Sequence, residues 1–274
     1  WQAVEQSGGE EAQQINFGYL LYESTLEKQD SLLREYALKW LEKYPDNQVA
    51  QHMGNAVLNR AVRPRANDEY LKNIFDIFAP DFEQVLTGLD YRAPELIRCL
   101  LEEIYGSKKS PRLRILDAGC GTGFCGGFLK KYSSFRGLYG VDISEKMLEQ
   151  AQAKKVYSHL LQSELEQYFS QAKTKFDLIV SADVFTYFGS LEKLLSGMAD
   201  SLSAGGRVIF TVSENNLNDD DYFLHSSGRY LHHQNYVRKV LEKAGFEVEK
   251  LERAKLRNEG ENIVYGYVVS ALKK

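Results

Sequence analysis

Residues 115 to 123 read ILDAGCGTG, and no other stretch restricts the possible folds as much. The apolar pair Ile115 and Leu116 ends in Asp117, after which glycine takes alternate positions at Gly119, Gly121 and Gly123. A buried strand that stops this abruptly predicts a tight turn whose backbone lies very close to a neighbour, since glycine supplies positive φ or a missing Cβ at little steric cost. The segment that follows, FCGGFLKKY, has the composition of a helix start, so the unit is strand, glycine turn, helix. In an open α/β sheet that turn lies at the carboxyl end of a strand, where ligands bind.

Spacing separates the known uses of such a turn. A dinucleotide fingerprint needs G-x-G-x-x-G, and counting from Gly119 the third glycine is replaced by Phe124. A phosphate-cradling loop needs a lysine after its last glycine; Gly121 and Gly126 have the gap, but Gly127 stands where the lysine belongs. The pattern D-x-G-x-G-x-G instead resembles motif I of the class I S-adenosylmethionine-dependent methyltransferases. That resemblance implies cofactor contacts from Asp117, Gly119, Cys120, Gly121 and Gly123.

Later segments extend the resemblance. In GLYGVDISEKMLEQA, Leu138 to Val141 reads as a short strand with Asp142 at its end. An acidic residue there accepts hydrogen bonds from ribose hydroxyls in nucleoside-binding α/β folds. Ile143 and Met147 are expected to wall the adenine. The other reading of Asp142 is a helix N-cap, a role for which Ser144 is better placed. After the strand His159 to Leu161, the family pattern implies that Glu164 takes the adenine amino group with Leu165 on the ring; an exposed helix position is the alternative for Glu164. In KFDLIVSADVFTYFG, Phe176 to Val180 is almost wholly apolar, as in a central strand covered on both faces. The resemblance then places Ser181, Ala182 and Asp183 at the methionine end of the cofactor, and Phe185 and Tyr187 towards the transferred methyl group or the substrate. LSAGGRVIFTVSE reads as a helix end, a Gly205-Gly206 turn and a strand from Arg207 to Val212, and the last thirty residues read as a terminal hairpin.

The fold implied is α/β: a seven-stranded, mostly parallel Rossmann-like methyltransferase sheet with its last strand antiparallel and an α-helical N-terminal extension. Its cofactor would be S-adenosyl-L-methionine and its product S-adenosyl-L-homocysteine. The expected divisions are a helical, tetratricopeptide-like extension over 1–62, a helical lid or linker over 63–108, and the methyltransferase domain over 109–274.

In the N-terminal part, the join Tyr44-Pro45-Asp46-Asn47 between helical stretches resembles that between tetratricopeptide repeats. At most one and a half repeats fit, fewer than a free-standing array needs. The extension is therefore expected to lean on the catalytic domain or to continue further repeats, and a plain helical extension is the other reading. Between the two parts, Asn67 or Asp68 is the predicted cap of a helix that Pro80 ends. The segment IFDIFAPDFEQVL…YRAPELI resembles the one preceding motif I in a bacterial group of predicted methyltransferases bearing tetratricopeptide repeats, and more distantly the lid of the ubiquinone and menaquinone methyltransferases. Phe82 stands where those relatives often have Tyr, so it would cover the cofactor without a hydroxyl contact; Tyr91 and Arg92 are candidates for the cofactor carboxylate. An aromatic core between helices is the alternative.

Acceptor-side candidates lie in the loop after the fifth strand, at Ser227-Gly228-Arg229-Tyr230-Leu231-His232-His233. Relatives present substrate-facing residues there. Arg229 suits an anionic acceptor such as a carboxylate, and His232 suits a general base because histidine titrates near neutrality; Tyr230 lies between them as a third catalytic candidate. The competing readings are that His232 caps the following helix and that Arg229 pairs with Asp219 to Asp221.

Composition narrows the partners. Lys and Arg number 34 against 38 Asp and Glu, a net charge of −4, which leaves no electrostatic footprint for nucleic acid. No apolar run is long enough to cross a membrane. Cys99, Cys120 and Cys125 lack CxxC spacing, so a reduced, cytoplasmic protein without a metal site is expected. The reading is a methyltransferase acting on a small-molecule acceptor at oxygen. Its alternatives are a protein partner docked by the N-terminal helices and a non-catalytic cofactor-binding protein.

Overall fold

The computed structural model describes residues 1–26, 30–60, 63–106 and 112–274. The boundaries expected at 62/63 and 108/109 fall at 61–62 and within 107–111, outside the described residues. Nine strands are described: β1 Leu113–Ala118, β2 Ser133–Asp142, β3 His159–Gln162, β4 Phe176–Ser181, β5 Leu202–Ser213, β6 Tyr222–Leu224, β7 Tyr230–His232, β8 Phe246–Glu259 and β9 Asn262–Lys273. Seven form one sheet in the order β3-β2-β1-β4-β5-β9-β8. Strands β1 to β5 are parallel, and β9 enters antiparallel between β5 and β8. The expected sheet is the one observed.

Alternation along the strands sorts the core into two layers. Ile115, Leu178, Val180 and Ile209 face the helices Ala93–Tyr105 and Gly126–Tyr132. Their neighbours Leu116, Ile179, Val208 and Phe210 face the helices Leu165–Gln171, Glu192–Ser201 and Gln234–Lys243. Apolar residues on both faces explain why the central strands read as continuous runs. The Gly205-Gly206 turn loops out inside β5, where pairing jumps from Phe176↔Leu202 to Leu178↔Arg207.

Chain order places the site. From β1 the chain winds outward through β2 and β3, then returns to lay β4 on the other side of β1. The connections after β1 and β4 therefore leave in opposite directions and open a crevice at the carboxyl ends of the strands.

The helical elements cover that crevice. Asn67 caps the helix Asp68–Phe78, its Oδ1 accepting the N–H of Glu69 at 2.8 Å, and after Pro80 the helix Phe82–Gly88 continues the cover. The N-terminal helices Gln2–Gln6, Glu11–Leu26 and Asp30–Lys43 pack together around fully buried Trp40, whose Nε1–H donates to Gln14 Oε1 at 2.5 Å. Their apolar cluster includes Tyr70, Leu71 and Ile74 of the covering helix. His52 Nε2 lies 2.8 Å from the carbonyl of Gly228, tying this unit to the segment that leads into β7. Among the described residues no helix is long and apolar enough to cross a membrane.

Candidate active site

A cavity of about 650 Å³ occupies the crevice between the sheet, the two covering helices and the helix Glu11–Leu26. Its two ends differ in chemistry.

At one end stand the glycine turn and the acids at or just past the carboxyl ends of β1, β2 and β3. Gly119 has φ +75°, and a Cβ there would lie 2.3 Å from Cγ2 of Val184, so the turn is pressed against the loop after β4 and admits no larger residue. Asp142 is buried and uses each carboxylate oxygen once: Oδ2 accepts the Gly121 N–H at 2.8 Å and Oδ1 the Ser144 N–H at 2.9 Å. An ionised carboxylate has about four acceptor positions, so capacity remains for a ligand. Burial pushes the Asp142 carboxyl up, and the backbone donors from Ser144 and Gly121 oppose that. Ser144 is the helix cap, accepting the Met147 N–H at 3.1 Å and donating to Asp76. Ile143, Met147 and Leu165 supply an apolar wall. Glu164 is no exposed helix residue: it is buried, lines the cavity, and caps the helix Leu165–Gln171 by accepting from the N–H groups of Glu166 at 2.9 Å and Gln167 at 2.8 Å. Asp117 also faces the cavity and accepts the Tyr157 hydroxyl at 2.6 Å. Burial raises its carboxyl to about 7, helped by the nearby charge of Asp142.

At the other end, charged groups sit among tyrosines. Asp183 lines the cavity with φ +57°, a left-handed conformation that aspartate tolerates better than most residues. Its N–H donates to Thr211 Oγ1 at 2.9 Å. Its carboxylate accepts from Arg229 Nη1 at 3.0 Å and from Arg257 Nη1 at 3.2 Å. Arg257, 1% exposed, also donates through Nε and Nη2 to Glu259 Oε1 at 2.9 and 2.7 Å. Glu259 Oε2 accepts the Tyr22 hydroxyl at 2.6 Å, which joins the first long helix to the tip of the terminal hairpin. Burial opposes ionisation of Glu259, but the guanidiniums of Arg257 and Arg229 outweigh it and hold the carboxyl at about 2. Buried charges that pair in this way avoid the penalty of an isolated ion.

Twelve of the thirteen residues expected at the cofactor line this cavity: Asp117, Gly119, Cys120 and Gly121; Asp142, Ile143 and Met147; Glu164 and Leu165; Ala182 and Asp183; and Phe82. Gly123 does not, because it packs against Tyr157, whose ring would stand 2.9 Å from an added Cβ. The acceptor-side expectations need larger corrections. The antiparallel pair β6–β7 is extended, so successive side chains from Arg229 to His232 alternate between sides. Arg229 faces the cavity, while Tyr230 and His232 turn into the protein and are fully buried. Tyr230 donates its hydroxyl to the Arg63 carbonyl at 2.6 Å. His232 Nε2 lies 2.8 Å from the Phe188 carbonyl and 3.2 Å from that of Gly189, so this nitrogen carries the proton and donates. Burial lowers the imidazole to about 4. Neither residue is therefore placed as an acid or base towards a ligand.

The remaining alternatives resolve in the same way. His233 caps the helix Gln234–Lys243, its Nδ1 accepting the Asn235 N–H at 3.2 Å. Arg229 pairs with Asp183 instead of with Asp219 to Asp221. Phe185 stacks on Phe210 in the core with ring centroids 4.2 Å apart, and Ser181 donates to the Ala118 carbonyl at 2.8 Å. Tyr91 lines the cavity, whereas Arg92 pairs with Glu95 outside it. The sequence reading missed Tyr19, Tyr22, Arg257 and Glu259. A signal for the last pair was present: residues 257 and 259 share one side of an extended strand, which suits a charged couple.

A family model described as a methyltransferase domain matches residues 116–210, the span from β1 into β5 that builds the glycine turn and its neighbouring acids. The match covers about a third of the chain. The methyltransferase-like protein 27 of Homo sapiens is 43% identical over 89 residues, 32% of this chain and 35% of that protein. A malonyl-[acyl-carrier protein] O-methyltransferase of Priestia megaterium is 26% identical over 151 residues, 54% of this chain and 53% of that one. The chain thus spans between about a third and a half of the length of these curated relatives. Among solved structures, the magnesium protoporphyrin IX methyltransferase of Synechocystis PCC 6803, with bound SAH, superposes with a TM-score of 0.59 at 20% identity, covering 76% of this chain and all of that one. At that identity the likeness is one of fold, and it extends beyond residues 116–210.

Proposed function

We propose that the chain is an S-adenosylmethionine-dependent methyltransferase acting on a small-molecule acceptor at oxygen. The observation that carries this reading is the single cavity in which a ribose-binding type of acid, Asp142, and an apolar wall share space with a separate end of tyrosines and a guanidinium. Pockets of this volume and mixed lining are the usual home of small ligands. The relatives named as methyltransferases support it, as does the match of residues 116–210 to a methyltransferase domain.

The residues present suit the cofactor. Asp142 has unused acceptor positions for two ribose hydroxyls. Ile143, Met147 and Leu165 offer the adenine an apolar slot, and Glu164 retains acceptor capacity for its amino group after capping its helix. Asp117 supplies a carboxylate to the ammonium end, and Phe82, which lies 3.8 Å from the place a Gly121 Cβ would take, closes over the turn. When bound, the cofactor supplies a methyl group on a sulfonium, already a strong electrophile. The protein's work is then alignment and the exclusion of water, which the covering helices and the helix Glu11–Leu26 provide.

Isothermal titration with S-adenosylhomocysteine tests the reading. Saturable binding is expected, and its absence overturns the proposal.

A further inference from the structure

Arg229 spends little of its hydrogen-bonding capacity on the protein. Of the five N–H groups of a guanidinium, one is used, in the bond from Nη1 to Asp183 Oδ2 at 3.0 Å; the side chain faces the cavity with the Tyr187 ring 5.8 Å away. Tyr19, Tyr91 and Tyr187 line the cavity with Arg229, and among the described residues none of their hydroxyls is hydrogen-bonded to a protein group. Burial pushes all three phenols up, so they stay protonated. This end therefore offers donors. Asp183 accepts from both arginines and Glu259 from Arg257 and Tyr22, and Asn16 and the exposed Glu23 line the cavity as well. Among the described residues no histidine lines the cavity.

A cradle so rich in donors suits a ligand that accepts hydrogen bonds. Resting on the methyltransferase reading above, we infer that the acceptor is a small carboxylic acid with an apolar body, its carboxylate seated on Arg229, and that the product is its methyl ester. One carboxylate oxygen takes the guanidinium bond, and the other is the nucleophile. Its lone pair forms the O–C bond as the methyl–sulfur bond breaks; that bond's electron pair stays on sulfur, and no proton moves. A carboxylate and a sulfonium neutralise each other along this path, which a water-poor cavity favours. Arg229 already has Asp183 beside it, but Arg257 shares that carboxylate, so the cluster of two guanidiniums and two carboxylates is neutral before the acceptor enters. The apolar body has Phe75, Phe78 and Leu89 as walls. Buried donors left unpaired are also what lets a site reject an analogue lacking the matching group.

The test compares matched acids and alcohols on the S-adenosylhomocysteine complex by calorimetry: phenylacetate against 2-phenylethanol, and hexanoate against 1-hexanol. In at least one pair the acid is expected to bind about tenfold tighter or more. Arg229→Gln should abolish that preference and Arg229→Lys should keep part of it, with melting curves confirming that each variant is folded. The comparison in the unaltered protein stands even if a variant does not fold. Acids that bind no better than their alcohols in both pairs overturn the inference, including the case where nothing binds. So does a preference that survives in Arg229→Gln. Failure of S-adenosylhomocysteine to bind is a separate result and removes the methyltransferase reading itself.

Discussion

Gly119, Asp142 and Glu164 each stand at or just past the end of their own strand, and together they build the donor end of the cavity as proposed. The opposite end gathers Tyr22 from the first long helix, Asp183 from the loop after β4, Arg229 from the lead into β7, and Glu259 from the terminal hairpin. The donor end is largely a backbone construction: turn and cap N–H groups are held by side chains only a few residues from strand ends. The acceptor end is a tertiary one, a chain of charge-assisted bonds between segments up to 237 positions apart. The first kind of site is inherited with the sheet. The second can be changed by any segment that reaches the rim, so one fold can keep its donor and vary its acceptor.

If that contrast holds, damage should stay within the end where it is made. The largest effect is expected from Asp142→Ala. It removes an acceptor for the Gly121 and Ser144 N–H groups and the proposed bonds to the ribose. Hydrogen bonds to charged groups contribute about 1.5–3 kcal/mol each, so S-adenosylhomocysteine affinity should fall roughly 10- to 100-fold by titration. An affinity within threefold of the unaltered protein would mean that the donor end has been wrongly placed.

The same contrast explains what could be read from sequence. Strands β1, β2 and β4 show as apolar runs, because burial on both faces leaves no polar alternation to blur them, and the residues after them fall at fixed offsets. Glycine spacing alone cannot say whether a ligand or a side chain fills the space beside Gly123; here it is the Tyr157 ring. Nothing in the loop sequence signals that it pairs as β6–β7, and that pairing turns Tyr230 and His232 inward. Arg257 and Glu259 looked like an ordinary charged hairpin tip. Glu259 is tied to the helix Glu11–Leu26 through Tyr22, a contact that no local pattern encodes. The same helix hides Tyr19 and Tyr22, since it presents one side to the N-terminal core and another to the cavity.

Tyr22→Phe sharpens the contrast from the acceptor end. It deletes the hydroxyl bond to Glu259 and leaves the ring in place. The expected loss of stability is about 1–2 kcal/mol in urea unfolding, a reduced share of a charge-assisted bond because Glu259 keeps its Arg257 partner. S-adenosylhomocysteine affinity should stay within about twofold. A loss of affinity as large as that of Asp142→Ala would show that the two ends act as one unit.

The smallest effect concerns protons. Asp117 lies at the donor end with its carboxyl raised to about 7 by burial, and with Asp142 assigned to the ribose it is the acid left for the cofactor's ammonium. An acid held above its ordinary value keeps its proton as pH rises, so its contribution to stability is fully present below about 3.8 and is lost as pH climbs to about 7. Binding an ammonium reverses the preference and drives the proton off. S-adenosylhomocysteine affinity should therefore rise between about pH 6 and 7.5, by roughly eightfold for a group titrating near 7, over a range in which an α-amino group is still mostly protonated. Titrations in buffers of different ionisation enthalpy should show proton release on binding at pH 6.5, and Asp117→Asn should abolish both the release and the slope. Tight binding without proton release would place the ammonium elsewhere, and would move the boundary between the two ends away from the turn where Asp117 stands.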